Sequence, residues 1–134
     1  MDGLWSRLSA LTIEIEDYGL ERLEQAVSSG FTRVSTVIRL HGAGHEGLGE
    51  DVGYDADDQG AQLAAGPSLP LAGSYTLAGF SAHLGALDLW PEPARHAASV
   101  DYRRWAYESA ALDLALRQAG IALHEALGRE PRPL

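Results

Sequence analysis

Histidine and acidic side chains around a glycine-rich turn are the first candidates for chemistry in this sequence. His41 and His45 flank the turn, and Glu46 follows directly. Two imidazoles and a carboxylate could bind a metal ion. No further ligand follows at a metal-binding spacing, and the chain has no cysteine that could supply a thiolate. We therefore interpret both histidines as surface residues and expect no metal or other cofactor in this chain.

Two further patterns resemble ligand-binding loops but are incomplete. Residues 42–47 fit the dinucleotide-binding pattern G-x-G-x-x-G. Residues 48–52 are typical of a strand, however, and not of the helix that would bind the phosphates, so a hairpin turn is the better interpretation. Asp55, Asp57 and Asp58 resemble part of a calcium loop that lacks the glutamate required at its twelfth position. We predict that these acids cap a helix.

Serine and paired glutamates offer two more possibilities. Ser81 lies two residues before His83, in a pattern that begins like a nucleophile elbow, but a histidine replaces the last glycine of that motif. A small hydrolase that uses Ser81 with His83 is one hypothesis, which replacing Ser81 by alanine would test. Glu14 and Glu16 share one face of a predicted strand and could exchange protons, although a solvated face explains them more simply. None of these patterns is a complete active site.

Composition excludes several classes of protein. The 134 residues and 14.3 kDa predict a single domain over residues 1–134. Nineteen acidic residues outweigh ten basic ones, which are all arginine, so lysine-dependent catalysis is excluded and binding to nucleic acid is disfavoured. No apolar run is long enough for a membrane span, and the N-terminus lacks the features of a signal peptide. We therefore expect a cytoplasmic protein that does not contact a membrane.

Hydrophobic patterning predicts three strands followed by helices. The predicted strands cover residues 11–16, 33–40 and 46–52, with a loop at 18–30 and a glycine turn at 42–44. Two glycines in the third strand indicate close approach of another backbone, or a bulge. The predicted helices run from Asp55 to Gly66, from Thr76 to Leu87 and from a cap at Ser99 or Asp101 to Gly120, with one more turn at 122–127.

The longest predicted helix has one face along which residues recur at helical spacing. It is formed by Tyr102, Trp105, Ser109, Leu112 and Leu116. Because strands and helices are segregated along the chain, the predicted class is α+β. The predicted architecture is a three-stranded antiparallel meander followed by a bundle of three to four helices.

Two passages carry a resemblance to a known family. The first is the hairpin of residues 37–52, with its Gly-Leu-Gly-Glu ending, and the second covers residues 105–120 and 123–128, which contain Glu108, Asp113 and a closing glycine. In these passages the chain resembles the N-terminal capping domain of the enolase superfamily, in the mandelate racemase and muconate lactonizing enzyme branch. The resemblance extends from Leu11 to Leu134.

This resemblance implies one part of a larger isomerase or lyase. The family's capping domain closes over a modified TIM barrel of the same enzyme. Barrel residues abstract a proton next to a carboxylate, and barrel acids hold Mg²⁺. This chain would then lack catalytic and metal residues, and residues 129–134 would link it to the barrel. Two capping-domain loops, at 18–31 and 52–58, would contact a small carboxylate substrate through five residues: Tyr18, Leu20, Phe31, Val52 and Tyr54.

A freestanding α+β module that binds a partner or dimerises is the alternative. It would use the hairpin edge or the face around Trp90. Members of the resembling family commonly form dimers or octamers, so a homo-oligomer is possible under either hypothesis. An orphaned capping domain would expose apolar residues that its barrel normally covers, and strong binding of a hydrophobic dye would therefore favour it over the freestanding module.

Overall fold

A computed structural model of the chain describes residues 8–26, 30, 32–53 and 55–123. Within these ranges it contains five strands and three helices. In chain order they are β1 (Thr12–Ile15), β2 (Asp17–Ala26), β3 (Thr32–Gly42), β4 (His45–Asp51), α1 (Ala56–Ala65), β5 (Gly73–Thr76), α2 (Leu77–Gly85) and α3 (Ala97–Ala119).

The predicted α+β class is confirmed. Strands β2, β3 and β4 form an antiparallel sheet in that order, and the helices follow it in the chain, with β5 between the first two. Helix α3 packs across one face of β3 and β4. The predicted turn at 122–127 and the predicted linker at 129–134 fall almost wholly outside the described residues.

The identity of the first meander strand differs from the prediction. Residues 12–15 pair with β5 in a separate two-stranded sheet, and β2, which was predicted to be a loop, pairs with β3 from Asp17 to Ala26. The second half of β2, from Glu21 to Ala26, is exposed throughout. A strand that is exposed on both faces needs no alternation of apolar and polar residues. The sequence pattern of this half therefore did not indicate a strand. Its extended conformation depends on pairing with β3.

The predicted hairpin turn is confirmed. Strand β3 ends at Gly42 and β4 begins at His45, so the turn consists of Ala43 and Gly44. Both have positive φ, 49° and 80°, as a two-residue turn of type I′ requires. The G-x-G-x-x-G pattern therefore belongs to a β-hairpin and not to a phosphate-binding loop.

Close approach at the two glycines of β4 is also confirmed. Gly47 and Gly49 face α3, and a Cβ atom at either position would overlap the backbone of that helix. The backbone N–H of Leu48, between them, donates to Asp113 Oδ2 of α3 at 2.9 Å. Strand β4 and the helix are therefore in direct backbone contact.

Helix α1 begins as predicted. Asp55 is its N-cap, and Asp55 Oδ1 accepts hydrogen bonds from the backbone N–H groups of Asp57 and Asp58 at 3.0 and 3.1 Å. These bonds satisfy two donors that a helix otherwise leaves without partners. The structure thus assigns the three aspartates to the capped start of the helix, as predicted. The helix ends before Gly66, which has a positive φ of 69°.

Asp55→Ala is expected to destabilise the protein by about 1 kcal/mol through loss of this cap. Chemical denaturation measures the effect as a lower midpoint. Asp55→Asn retains an acceptor oxygen and is expected to lose clearly less stability than the alanine variant. Equal losses in the two variants would contradict a capping role.

The buried side chains of α3 are not those of the helix face identified from the sequence spacing. The side chains that enter the core include Ala106, Tyr107, Ala110 and Leu114, whereas Trp105 is 55 % exposed. Small residues let α3 approach the glycines of β4, so close backbone packing decided which face turns inward. The helix starts at Ala97, earlier than predicted, and its end at Gly120 is confirmed by a left-handed φ of 69°.

The hydrophobic core lies between the sheet and the helices. It consists of side chains from both sheets, from α2 and α3 and from the loops around α2, including Ile13, Ile15, Ile38, Leu40, Leu71, Phe80, Leu84, Tyr107 and Leu114. No helix in the described ranges is both long and apolar enough to cross a membrane.

Candidate functional site

Strands β2 and β4 both run antiparallel to β3, so they end at the same end of the sheet. Ala26 pairs with Thr32 where β2 and β3 meet, and Asp51 at the end of β4 pairs with Thr36. The guanidinium Nη2 of Arg33 donates to the carbonyl oxygen of Val52 at 2.9 Å. The structure therefore brings the start of the second expected substrate loop against the first residues of β3.

Three of the five predicted substrate-contacting residues fall within the described ranges. The side chain of Val52 lies at this end of the sheet and is 37 % exposed. Tyr18 and Leu20 lie in β2 opposite Leu40 and Ile38, on the face that packs against the core. The prediction that these two residues lie in an open loop was therefore wrong, because both belong to strand β2.

The other two predicted residues, Phe31 and Tyr54, lie outside the described residues. A substrate contact through any of the five stays a prediction.

A buried ion pair anchors the end of β4. Arg103 Nε lies 2.7 Å from Asp51 Oδ2, and the two side chains are 0 % and 1 % exposed. Arg103 also donates to the carbonyl oxygens of Leu89 and Asp58, at 3.3 and 3.2 Å, and its guanidinium carbon stacks 3.6 Å from the ring centroid of Trp90. One arginine thus ties α3 to β4, α1 and the loop after α2.

Two glutamine amides complete this buried cluster. Gln59 Nε2 donates to the carbonyl oxygens of Asp51 and Gly53, at 3.1 and 2.7 Å, and its Oε1 accepts from Thr36 Oγ1 at 2.7 Å. Gln62 Nε2 donates to Asp51 Oδ2 at 3.2 Å. Because these bonds run from α1 to the backbone on both sides of Val52, the segment is held on a rigid support.

Sequence reasoning missed this cluster. A signal was present: Ser99, Arg103, Ala106 and Ala110 recur at intervals of three and four residues. An arginine in a row of small residues on a helix is a candidate for a buried cation with a carboxylate partner. The position of that partner on β4 follows from the tertiary structure alone.

The face of the sheet opposite α3 carries a network of charged side chains across all three strands. His41 on β3 lies 2.7 Å from Asp17 Oδ1 through Nδ1 and 2.7 Å from Glu46 Oε2 through Nε2. Arg39 donates to both carboxylate oxygens of Glu46, at 3.0 and 2.9 Å, and also to Glu21. The network therefore links β2, β3 and β4.

Hydrogen bonds within this network shift the pKa values of His41 and Glu46 in opposite directions. Hydrogen bonds to the carboxylates of Asp17 and Glu46 raise the pKa of His41 above its usual value. Hydrogen bonds from Arg39 and His41 lower the pKa of Glu46. Only the imidazolium has two N–H donors, so only the charged form of His41 can donate to both carboxylates at once.

His41 is expected to make stability depend on pH. A raised folded-state pKa adds stability that is fully present below the unfolded value of about 6.5 and is lost as pH rises through the folded value. The stability difference between the native chain and His41→Gln should therefore shrink as pH rises from about 6.5 through the raised folded-state pKa of His41. Urea denaturation across this range measures it. In Asp17→Asn the His41 pKa, followed by NMR, should fall, and an unchanged value would contradict the bridge.

The remaining candidate residues do not form the sites considered from the sequence. Among residues 8–26, 30, 32–53 and 55–123, no group of three or more histidine, aspartate or glutamate side chains is arranged to hold a metal ion. Ser81 Oγ donates to Glu108 Oε2 at 2.6 Å, whereas His83 Nε2 lies 2.7 Å from the carbonyl oxygen of Pro70. The two therefore do not form a serine–histidine pair, and the hydrolase hypothesis has no support in the structure.

A small cavity adjoins Tyr18. The Tyr18 ring meets Tyr107 edge to face with centroids 6.1 Å apart, and its hydroxyl oxygen accepts from the backbone N–H of Leu69 at 2.9 Å. Gln62 and Trp90 also line this space of about 100 Å³. The cavity lies beside the buried cluster, under the loop that follows α2.

Comparison with known proteins gives one match. Residues 6–126 match the family model described as "Domain of unknown function (DUF8230) N-terminal domain". The comparisons with curated proteins and with solved structures give no match.

Proposed function

We propose that this chain, which belongs to the family of DUF8230 N-terminal domains, is the substrate-capping domain of a larger enzyme. In this proposal the sheet end around Val52 faces a catalytic domain of the same enzyme. The family's description as an N-terminal domain supports a role next to a further domain. The resemblance to the enolase superfamily supplies the class of enzyme, an isomerase or lyase acting on a small carboxylate.

The observation that carries the proposal is the anchoring of the segment around Val52. Arg33 binds the carbonyl oxygen of Val52, and Gln59 binds the carbonyl oxygens on either side. The exposed Val52 side chain therefore projects from a backbone that is fixed by buried groups. A rigid apolar contact at a pocket mouth excludes water and selects substrates by shape, which is what a capping domain contributes.

The chemistry itself would belong to the adjoining domain. The described residues of this chain do not fit a Mg²⁺ site, since they contain no suitable group of acidic and histidine side chains. We assign no reaction step to the metal. The Mg²⁺ that the resemblance implies would be held by a barrel, and a cytoplasmic location is part of the same proposal.

The first test is the intact mass of the protein purified from its native source. A mass near three times the 14.3 kDa of this chain is expected if a barrel accompanies it. The native protein is then incubated with a panel of carboxylic acids in D₂O, and Mg²⁺-dependent exchange of the α-proton is followed by NMR. A mass of 14.3 kDa, or no exchange with any carboxylate, would contradict the proposal.

A pair of valine variants tests the site. Val52→Ala is expected to raise KM severalfold with a smaller effect on kcat, because it removes an apolar contact with bound substrate. Val100→Ala is the matched control, since Val100 is a similarly exposed valine that lies on α3 and in neither of the two expected substrate loops. Equal kinetics of the two variants would contradict a substrate contact at Val52.

A freestanding module remains a second candidate because of the outer face of α3. Trp105 is 55 % exposed, and Leu112 on the same face is partly buried against the core edge. An exposed tryptophan in an apolar row is typical of an interaction surface. A concentration-dependent dimer of the 134-residue chain in sedimentation experiments, lost in Trp105→Ser, would favour this candidate.

A further inference from the structure

The outer edge of strand β2 is unpaired within the described residues. In the three-stranded sheet β3 lies between β2 and β4, so β2 is an edge strand. Its backbone makes no backbone hydrogen bond to any described segment other than β3, and every residue from 21 to 26 is exposed. An unpaired strand edge is a template on which a further strand can pair. Proline, which blocks such pairing at many sheet edges, is absent from residues 17–26.

The register of the sheet shows which backbone groups this edge offers. Gly42 and His45 flank the two-residue turn, so they are a hydrogen-bonded pair that joins β3 to β4. Because backbone groups alternate in direction along a strand, the odd-numbered residues of β3 bond to β2, where odd-numbered residues lie opposite them. Leu48 of β4 fits this alternation, since its N–H points away from β3 and donates to α3. The even-numbered residues between 20 and 26 therefore direct their N–H and C=O groups to the free edge of β2.

The side chains along this edge are complementary to those of a second copy. Arg22 and Glu24 lie on the same face of β2, 2.7 Å apart, and both are about half exposed. When two copies of β2 pair antiparallel about Leu23, each arginine lies opposite the glutamate of the other copy. The same register sets even-numbered residues opposite even-numbered ones, so the free N–H and C=O groups of both edges bond to each other. One geometry therefore satisfies the backbone and the charges together.

The neighbouring registers set like charges opposite each other. The hydrogen-bonding alternation keeps even-numbered residues opposite one another, so the two-fold axis can move only from one residue of β2 to the next. An axis through Arg22 opposes two guanidinium groups and an axis through Glu24 opposes two carboxylates, which destabilises a sheet. At the Leu23 axis two leucines, each 39 % exposed in the single chain, meet at a non-hydrogen-bonded position, where side chains approach most closely. Charge and shape therefore favour the register centred on Leu23.

We propose that two copies of this chain pair edge to edge through β2, about a two-fold axis at Leu23, and form one continuous antiparallel sheet. Residues 20–26 form the contact on each side, far fewer than the roughly 20–30 residues a side of a standard interface. The dimer is therefore weak, with a dissociation constant of roughly 0.1 mM, and the chain is monomeric at low micromolar concentrations. This surface involves neither Val52 nor Trp105, and the proposal does not depend on the capping function.

Charge reversal tests the register. Sedimentation equilibrium of the 134-residue chain up to about 1 mM, above the expected dissociation constant, should detect the native dimer. Arg22→Glu and Glu24→Arg each set like charges opposite each other twice in the dimer, so each is expected to weaken dimerisation at least about tenfold. The double variant restores opposite charges and should dimerise within about threefold of the native chain. A native chain that stays monomeric, or single variants that dimerise as the native chain does, would overturn the proposal.

Mixing the two single variants is the sharper test. A strand with Arg22→Glu paired with a strand with Glu24→Arg sets opposite charges at both positions, so the mixture should form a one-to-one dimer that neither variant forms alone. The matched control is Arg22→Glu that also carries Glu92→Arg, which adds the same charge at an exposed position outside β2. Mixed with Arg22→Glu, this control should dimerise no more tightly than Arg22→Glu alone. A mixture of the two β2 variants that stays monomeric would contradict the pairing, as would a native dimer that is lost in Trp105→Ser.

Amide hydrogen exchange tests the pairing along the strand. The backbone N–H groups of Arg22 and Glu24 point to the free edge in the single chain and are bonded in the dimer, so their exchange should slow as the concentration rises through the dissociation constant. The N–H groups of Glu21 and Leu23 already bond to β3 and should change less. Equal changes in the two sets would contradict this register.

Discussion

Replacing Asp51 by alanine is expected to lower the free energy of unfolding by about 3–5 kcal/mol at pH 7. The substitution leaves Arg103 fully buried without its carboxylate partner, which lies at 2.7 Å in the native chain. It also removes acceptors for Gln62 Nε2 and the backbone N–H of Gly53. A loss of this size is a large share of the roughly 5–15 kcal/mol that typical domains possess.

Urea denaturation measures this loss, with circular dichroism at room temperature to establish that the variant starts folded. Glu24→Ala is the control, because Glu24 pairs with Arg22 at 2.7 Å on the surface, with both side chains about half exposed. It should change stability by less than about 0.5 kcal/mol. Equal effects of the two substitutions would show that burial does not govern the strength of the Asp51 contact.

A double variant separates the ion pair from the rest of the cluster. Arg103→Met fills similar volume without a charge, so Asp51→Ala combined with Arg103→Met should lose less stability than the sum of the two single losses. Such coupling would identify the unpaired buried charge as the main cost. Strict additivity would contradict that interpretation.

Gly49→Ala is expected to be the most disruptive change of a single methyl group, costing about 3 kcal/mol or more. A Cβ at this position would overlap the carbonyl oxygen of Ala106 and lie 2.9 Å from the backbone nitrogen of Ala110. Both neighbours are backbone atoms of α3, which cannot rotate away as a side chain can. Either β4 or α3 must therefore shift, and the buried core between them opens.

Gly60→Ala is the matched control with the opposite sign. Gly60 lies inside α1 without a positive φ, and a methyl group there would meet no atom of another described element within 4 Å. Alanine at this position should stabilise the protein by about 0.5–1 kcal/mol through its better helix propensity. Thermal denaturation of both variants compares them, and a neutral Gly49→Ala would contradict direct contact between β4 and α3.

Local signals in the sequence located most helix boundaries and the hairpin. Asp55 and Gly120 were identified as helix ends because capping depends on residues within one turn of the chain. The Ala43-Gly44 turn and the close contact at the β4 glycines were likewise predictable, since glycine has a short list of structural uses. Strand β2 was missed because its exposed half has no apolar alternation.

The candidate site was less accessible to sequence reasoning. Val52 was found through a resemblance, and the structure then placed it on a support formed by Gln59 and Arg33. The helical spacing around Arg103 indicated a buried cation but not its partner, because Asp51 lies 52 residues away along the chain. A contact over that distance leaves no periodic trace.

By itself, the sequence determined the α+β class, the caps, the hairpin and the exclusion of thiolate and lysine chemistry. Those features depend on composition or on interactions between residues a few positions apart, so a short segment of sequence is enough to predict them. The tertiary structure decided which face of α3 is buried, which strand begins the meander and where Asp51 meets Arg103. Those choices depend on how whole elements pack, because a buried charge, a backbone contact or a cavity exists only once distant segments meet.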